Sequence, residues 1–131
     1  MPAPQPFGLD RIGQIYVTAH DLDRAVAFYR DRLGMRFLFQ VPSMAFFQCG
    51  DVTVMLGVPE AAEFDHKASI LYYAVDDIAA AHRVLADRGV SIVRDPALTH
   101  RAADHELWIG FYEDSEGNTL ALMARKPHRD P

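Results

Sequence analysis

Between residues 12 and 34 the chain reads IGQIYVTAHDLDRAVAFYRDRLG. A short β-branched run alternates with polar positions, a polar hinge follows at 18–21, and apolar residues then recur at helical spacing. Ala25, Phe28, Tyr29 and Leu33 share one helical stripe, and Asp21 or Asp23 can cap the first turn. Gly34 supplies a stop, because glycine enters the left-handed region without steric cost. The pattern predicts a strand over 12–18 and a helix over 22–33. It returns at 69–89, SILYYAVDDIAAAHRVLADRG, predicting a strand over 69–75, a helix over 78–88 and a closing Gly89. Asp21 to Asp77 is an offset of 56, and Gly34 to Gly89 is 55, so the copies differ by one residue within the helix. A repeat at this spacing predicts two similar modules.

The remaining segments fit that frame. Residues 35–41 and 44–50 alternate, are rich in aromatics and read as strands about a Pro42-Ser43 turn. Gly50-Asp51 turns the chain into a further strand over 52–57. A polar linker covers 59–67. A strand over 90–94 is expected to end at Asp95-Pro96, since proline donates no ladder bond. A polar loop is predicted over 98–106, followed by strands over 107–113 and 119–124. The first eight residues, with three prolines and a glycine, read as an irregular arm, and the C-terminal KPHRDP as a frayed tail. Each module is therefore β-α-β-β-β. The expected fold is α+β, one domain over 1–131 built of modules 10–58 and 68–125. The two curled, mostly antiparallel sheets are expected to form a cup with helices outside, a natural place for a ligand.

Composition narrows the function. A formal net charge of −5 argues against nucleic acid, which requires a positive footprint. It weakly favours neutral or cationic small guests. Cys49 is the single cysteine, so no intrachain disulfide forms. No apolar run approaches the roughly 20 residues that cross a bilayer. The N-terminus has neither a basic region nor an apolar stretch of the secretory kind, so a cytoplasmic protein is the expectation.

The paired modules, the segment D-L-D-R-A-V-A-F-Y-R-D-R-L-G and the turn D-S-E-G-N-T-L-A-L resemble the vicinal oxygen chelate superfamily. That superfamily includes glyoxalases, bleomycin-resistance proteins and extradiol dioxygenases, and the resemblance runs from residue 12 to about 126. It implies a homodimer, since relatives of this size often build or complete the cup between chains. Its metalloenzymes hold a divalent ion with ligands from the first and last strand of each module. Those positions match Gln14, Met55, Ile70 and Ala121, where one amide oxygen is the single weak donor. A catalytic ion needs about three protein ligands, so no metal and no other cofactor is expected, a divalent metal being the alternative.

Alternation from these positions places Gln14, Tyr16, Thr53, Met55, Ile70, Tyr72, Ala74, Thr119, Ala121 and Met123 towards the cup. Trp108 and Phe111 lie on opposite strand faces, so one of them lines it. Phe37 and Phe39 are expected to share a face and roof it. Such a lining suits a flat or partly apolar molecule held by stacking and one or two hydrogen bonds. The alternative is a cup filled by its own side chains. Of six histidines, His100 and His105 cluster with Asp104 and Glu106 in the predicted loop, and His82 reads as a surface residue. His20 reads as a turn hydrogen-bonding group. Gln14, Tyr72 and His105 are the candidates for acid–base or orienting chemistry. The leading expectation is a metal-free small-molecule binder of the bleomycin-resistance type. The alternatives are a glyoxalase- or dioxygenase-type enzyme and a scaffold module.

Overall fold

The computed structural model describes residues 7–127. In chain order it contains β1 (Gln14–Thr18), α1 (Leu22–Ala27) continued by a π turn (Phe28–Arg32), β2 (Arg36–Val41), β3 (Met44–Cys49) and β4 (Val52–Gly57). A short turn of helix (Ala62–Phe64) leads to β5 (Leu71–Ala74), α2 (Ile78–Asp87), β6 (Ser91–Arg101), β7 (His105–Glu113) and β8 (Thr119–Pro127). The strands form two four-stranded sheets, ordered β1-β4-β3-β2 and β5-β8-β7-β6. In each, the first strand pairs in parallel with the last and the others pair antiparallel. The α+β fold of two βαβββ modules is therefore what the chain adopts. The expected irregular arm and the end of the expected frayed tail fall largely outside the described residues, but Lys126 and Pro127, read as part of that tail, continue β8 opposite Glu106 and His105.

The helices begin and end as the repeat dictates. Asp21, and not Asp23, caps α1 by accepting from the Arg24 amide at 3.1 Å; Asp77 accepts from the Ala80 amide at 3.0 Å. Gly34 (φ 69) and Gly89 (φ 78) take the left-handed positions that close the two segments. The extra residue of the first copy is absorbed in the π turn, where the Leu33 amide reaches back five residues to the Phe28 carbonyl at 3.1 Å.

The helix-facing sides of both sheets meet in one hydrophobic core. Val17, Phe47, Val54 and Leu56 enter it from the first sheet, Tyr112, Leu120 and Leu122 from the second, and Tyr29, Ile78 and Leu85 from the helical segments. Each such side chain contributes about 1.5–3 kcal/mol when fully buried. Because the modules share this core, the opposite faces of the two sheets are left open. The chain does not itself close them into one continuous eight-stranded sheet.

Polar contacts lock the modules in register. Asp114 is buried and accepts from the Tyr29 hydroxyl (2.7 Å), the Glu116 and Asn118 amides (2.8 Å each) and the Asn118 side chain (3.0 Å). Asn118 donates to the Thr18 carbonyl at 3.0 Å and accepts from the Ala68 amide at 3.1 Å. Glu116 accepts from the Asp21 amide at 2.9 Å and from Arg24 Nε at 2.7 Å. Arg32 donates to the Gly89 carbonyl and Arg88 to the Arg32 carbonyl, so each helix end grips the other.

The largest departure from expectation lies at β6. The chain does not stop at Pro96 and does not form a polar loop over 98–106. Instead β6 runs eleven residues and pairs with β7 as a bulged hairpin. Pro96 is tolerated because β6 is the sheet's edge, where a missing N–H interrupts no ladder.

Asn118→Ala is expected to cost about 2–4 kcal/mol in urea denaturation, because it strands the Thr18 carbonyl, the Ala68 amide and part of Asp114. A second expectation concerns pH. Burial pushes the Glu116 carboxyl up, but the Arg24 guanidinium, the Asp21 amide and the Ser115 hydroxyl together hold it below its ordinary range. A carboxylate depressed in the folded chain contributes stability above the unfolded glutamate pKa of about 4.3, lost as pH falls through the folded value. Stability curves of the parent and of Glu116→Gln should therefore differ at pH 7 and converge in acid. Parallel curves would contradict the latch.

Candidate ligand-binding site

The open face of the first sheet is built from β1 and β4 in parallel register, Gln14 beside Thr53 and Tyr16 beside Met55. These four side chains alternate with the core residues Val17, Val54 and Leu56, as strand geometry requires. The Gln14 amide approaches Met55 Sδ at 3.7 Å. The Tyr16 hydroxyl donates to the Gly57 carbonyl at 3.0 Å, and burial pushes its phenol up, so it remains a protonated donor. A Cβ at residue 57 would fall 2.5 Å from the Tyr16 ring, so glycine is what permits this ring position. Tyr16, Met44, Met55, Phe64 and His66 line a cleft of about 510 Å³. Its outer wall comes from the segment read as a plain linker. The overlooked signal was Phe64, a large apolar side chain, 52% exposed, in an otherwise polar stretch.

On the second sheet Tyr72 lies beside Ala121, Ala74 beside Met123, and Phe111 beside Ala121 across the other neighbour. The Tyr72 and Phe111 rings meet edge to face, centroids 6.0 Å apart. Arg94, opposite Phe111 on β6, holds its guanidinium carbon 5.8 Å from that ring's centroid. Val93, Arg94, Phe111 and Thr119 surround a hollow of about 190 Å³. Ala121 is fully covered, and Ile70 lies just before β5, 44% exposed.

Several expected site residues lie elsewhere. Trp108 is on the opposite face from Phe111, packed against the core, with the Lys126 ammonium over its ring at 4.5 Å. Phe37 and Phe39 do not share a face. The β2–β3 register slips between them, so Phe37 packs edge-on against buried Phe47 while Phe39 stacks on Phe46 at 4.5 Å. A bulge adds one residue and inverts alternation beyond it. The expected His100–Glu106 loop cluster is divided by the hairpin. His105 pairs with Asp104 at 2.8 Å, and Glu106 takes Arg101 at 3.1 Å and the Trp108 indole at 3.2 Å. By alternation His105 shares the face of Phe111, but six residues along β7, roughly 20 Å away at strand rise. His82 is not a surface residue. Its ring bonds the hydroxyl of fully buried Tyr112 at 2.8 Å, and burial raises that phenol to about 12. His20 meets Asp65 at 2.6 Å, tying the hinge to the linker.

The donor set does not fit a divalent ion. An amide beside a thioether on one sheet, and an isoleucine and a covered alanine on the other, offer no charge to offset dehydration of the metal. Among the described residues, no group of three or more His, Cys, Asp or Glu side chains is arranged to hold one. Among the described residues no helix is long and apolar enough to cross a membrane. A further cleft of about 400 Å³, between the modules on the core side, is lined by Leu33, Cys49, Tyr73 and Leu122, and no candidate site residue reaches it.

With this geometry in hand, comparison with known proteins identifies the family. The model of the Glyoxalase/Bleomycin resistance protein/Dioxygenase superfamily matches residues 11–122, and the chain belongs to that superfamily. No curated protein matches the chain. Among solved structures, a lactoylglutathione lyase from Agrobacterium tumefaciens is similar at 23% identity and TM-score 0.71, covering 89% of this chain and 95% of that one. A virulence protein from Salmonella typhimurium has 23% identity, TM-score 0.72 and coverages of 90% and 98%. A superfamily member from Sphaerobacter thermophilus has 21% identity, TM-score 0.72 and coverages of 88% and 98%. At these identities the likeness shows the fold and leaves the reaction to the site.

The assignment of faces has a direct test. Phe37→Ala should cost about 2 kcal/mol more than Phe39→Ala in dilute denaturation experiments, because only the former opens space at the core. The reverse order would mean that the bulge is misplaced.

Proposed function

We propose that this protein binds a small, partly apolar molecule between the open sheet faces, without a divalent metal of the kind its metal-using relatives employ. The carrying observation is the donor set itself, Gln14 with Met55 and Ile70 with Ala121. It leaves stacking surfaces, one amide and one phenol where a chelating cage would be required. Tyr72, Phe111 and Met123 on one sheet, and Tyr16, Met55 and Phe46 on the other, supply apolar area with few oriented polar groups, the usual lining of a ligand pocket.

The cup is completed by a second copy. Each sheet's open face is unpartnered in the single chain, with Tyr72 at 48% and Phe39 at 52% exposure. The strands β1 and β5 each pair with only one neighbour. Setting β1 of one copy beside β5 of another satisfies both edges and brings the two faces together around a shared hollow.

An isomerase, lyase or oxygenase reading would require an acid–base group near the guest. His105 is too far along β7 to serve the hollow at Phe111. Gln14 carries no titratable proton, and Tyr72 offers only a phenol.

Sedimentation at micromolar concentration should give a dimer that Tyr72→Glu dissociates. Elemental analysis of protein grown with transition metals should find no stoichiometric zinc, nickel, manganese or iron. A guest at 100 times its dissociation constant should add about 2.7 kcal/mol of stability. A metal-loaded protein would overturn the metal-free reading, and a monomer would overturn the shared cup.

A further inference from the structure

The charge next to the hollow on the second sheet is positive, against the sign of the chain. Arg94 stands beside the Phe111 ring, and among the described residues no carboxylate lies within ion-pair distance of it. Neither acidic neighbour lines the hollow. Asp95, next in sequence, lies 3.7 Å from His82 on the helix side of the strand. Glu113, two residues beyond Phe111, shares its face and stands opposite Thr119 at the rim, so Arg94 is the one charged group among the described residues that surround the hollow. Around the hollow itself stand Val93, Phe111 and Thr119, one ring, one aliphatic group and one hydroxyl. The formal charge of −5 does not decide the matter. Exposed charges farther than about 8 Å are largely screened at physiological salt, whereas a group touching the guest is not.

A guanidinium presents a planar fork that matches a carboxylate through two parallel hydrogen bonds. Held 5.8 Å from the centroid of the Phe111 ring, the Arg94 guanidinium lies within reach of the carboxylate of a guest whose ring rests against Phe111. The Tyr72 ring packs nearly perpendicular to that of Phe111 on the same face. Thr119 places a hydroxyl within the same hollow.

We propose that the guest of this face is a small planar anion, an aromatic or conjugated carboxylate, with its carboxylate on Arg94 and its ring against Phe111 and Tyr72. This inference rests on the reading of the open face as a binding site, and it adds the sign and shape of the ligand.

Three probes of one shape separate the terms: benzoate, neutral benzamide and cationic benzylamine. They would be titrated into isotope-labelled protein and followed by amide chemical shifts. Benzoate should perturb Tyr72, Arg94, Phe111 and Thr119, bind about tenfold more tightly than benzamide, and outcompete benzylamine entirely. Arg94→Gln, on an exposed edge strand, should keep its circular dichroism and reduce benzoate to the level of benzamide, while Arg94→Lys should recover part of the difference. If benzamide or benzylamine binds this face as well as benzoate, or Arg94→Gln leaves benzoate unchanged, the anionic assignment fails while the binding face stands. If all three leave the face unperturbed, the binding reading falls with it.

Discussion

The structure depends on a carboxylate that has been taken out of water and answered on every side. Asp114 is 6% exposed and has no cationic partner within ion-pair distance among the described residues, a position that costs several kcal/mol unless its lone pairs are filled. They are filled by a hydroxyl from the first module and by two amides and a side-chain amide from its own turn. That turn then extends through Asn118 to the end of β1 and the approach to β5, and through Glu116 to the start of α1. Three side chains of one turn, Asp114, Glu116 and Asn118, thus fix how two half-size modules face each other. Hydrophobic burial supplies most of the stabilisation but has little directional preference. The polar turn is what selects one arrangement from many greasy ones.

Much of this was legible along the chain because it is local. Caps, left-handed glycines and the repeat are set by residues a few positions apart, and the one-residue excess in the first helix emerged as the π turn at Phe28–Arg32. The parallel pairing of β1 with β4 kept Gln14, Tyr16, Thr53 and Met55 on one face because neither strand is bulged. Where alternation was broken, inference from it failed. The slip between Phe37 and Phe39 and the three irregularities of β6 cannot be found by counting every second residue. Pro96 misled for a related reason. Whether proline ends a strand depends on its place in the sheet, which is a tertiary fact.

The site residues divide along the same line. Phe111, and not Trp108, faces the hollow, since the latter aligns with Ala124 on the core side. Arg94 and Phe64 carried no recognisable motif and became notable only through what they stand beside. The scaffold keeps its packing on one side of each sheet and leaves the other side open. Residues such as Met55 and Tyr72 therefore set the character of the open faces while standing outside the shared core.

The irregular β6, with its proline and three slips, has an implication for solubility. Sheets that end in flat, unblocked strands recruit further chains without limit. Here one outer boundary is kinked by proline and bulges, and the other, β2, is bent by its own slip. Recruitment is therefore discouraged at the rims and left open at β1 and β5. If those two unblocked borders pair with each other in a closed assembly, little is left with which to grow a fibre.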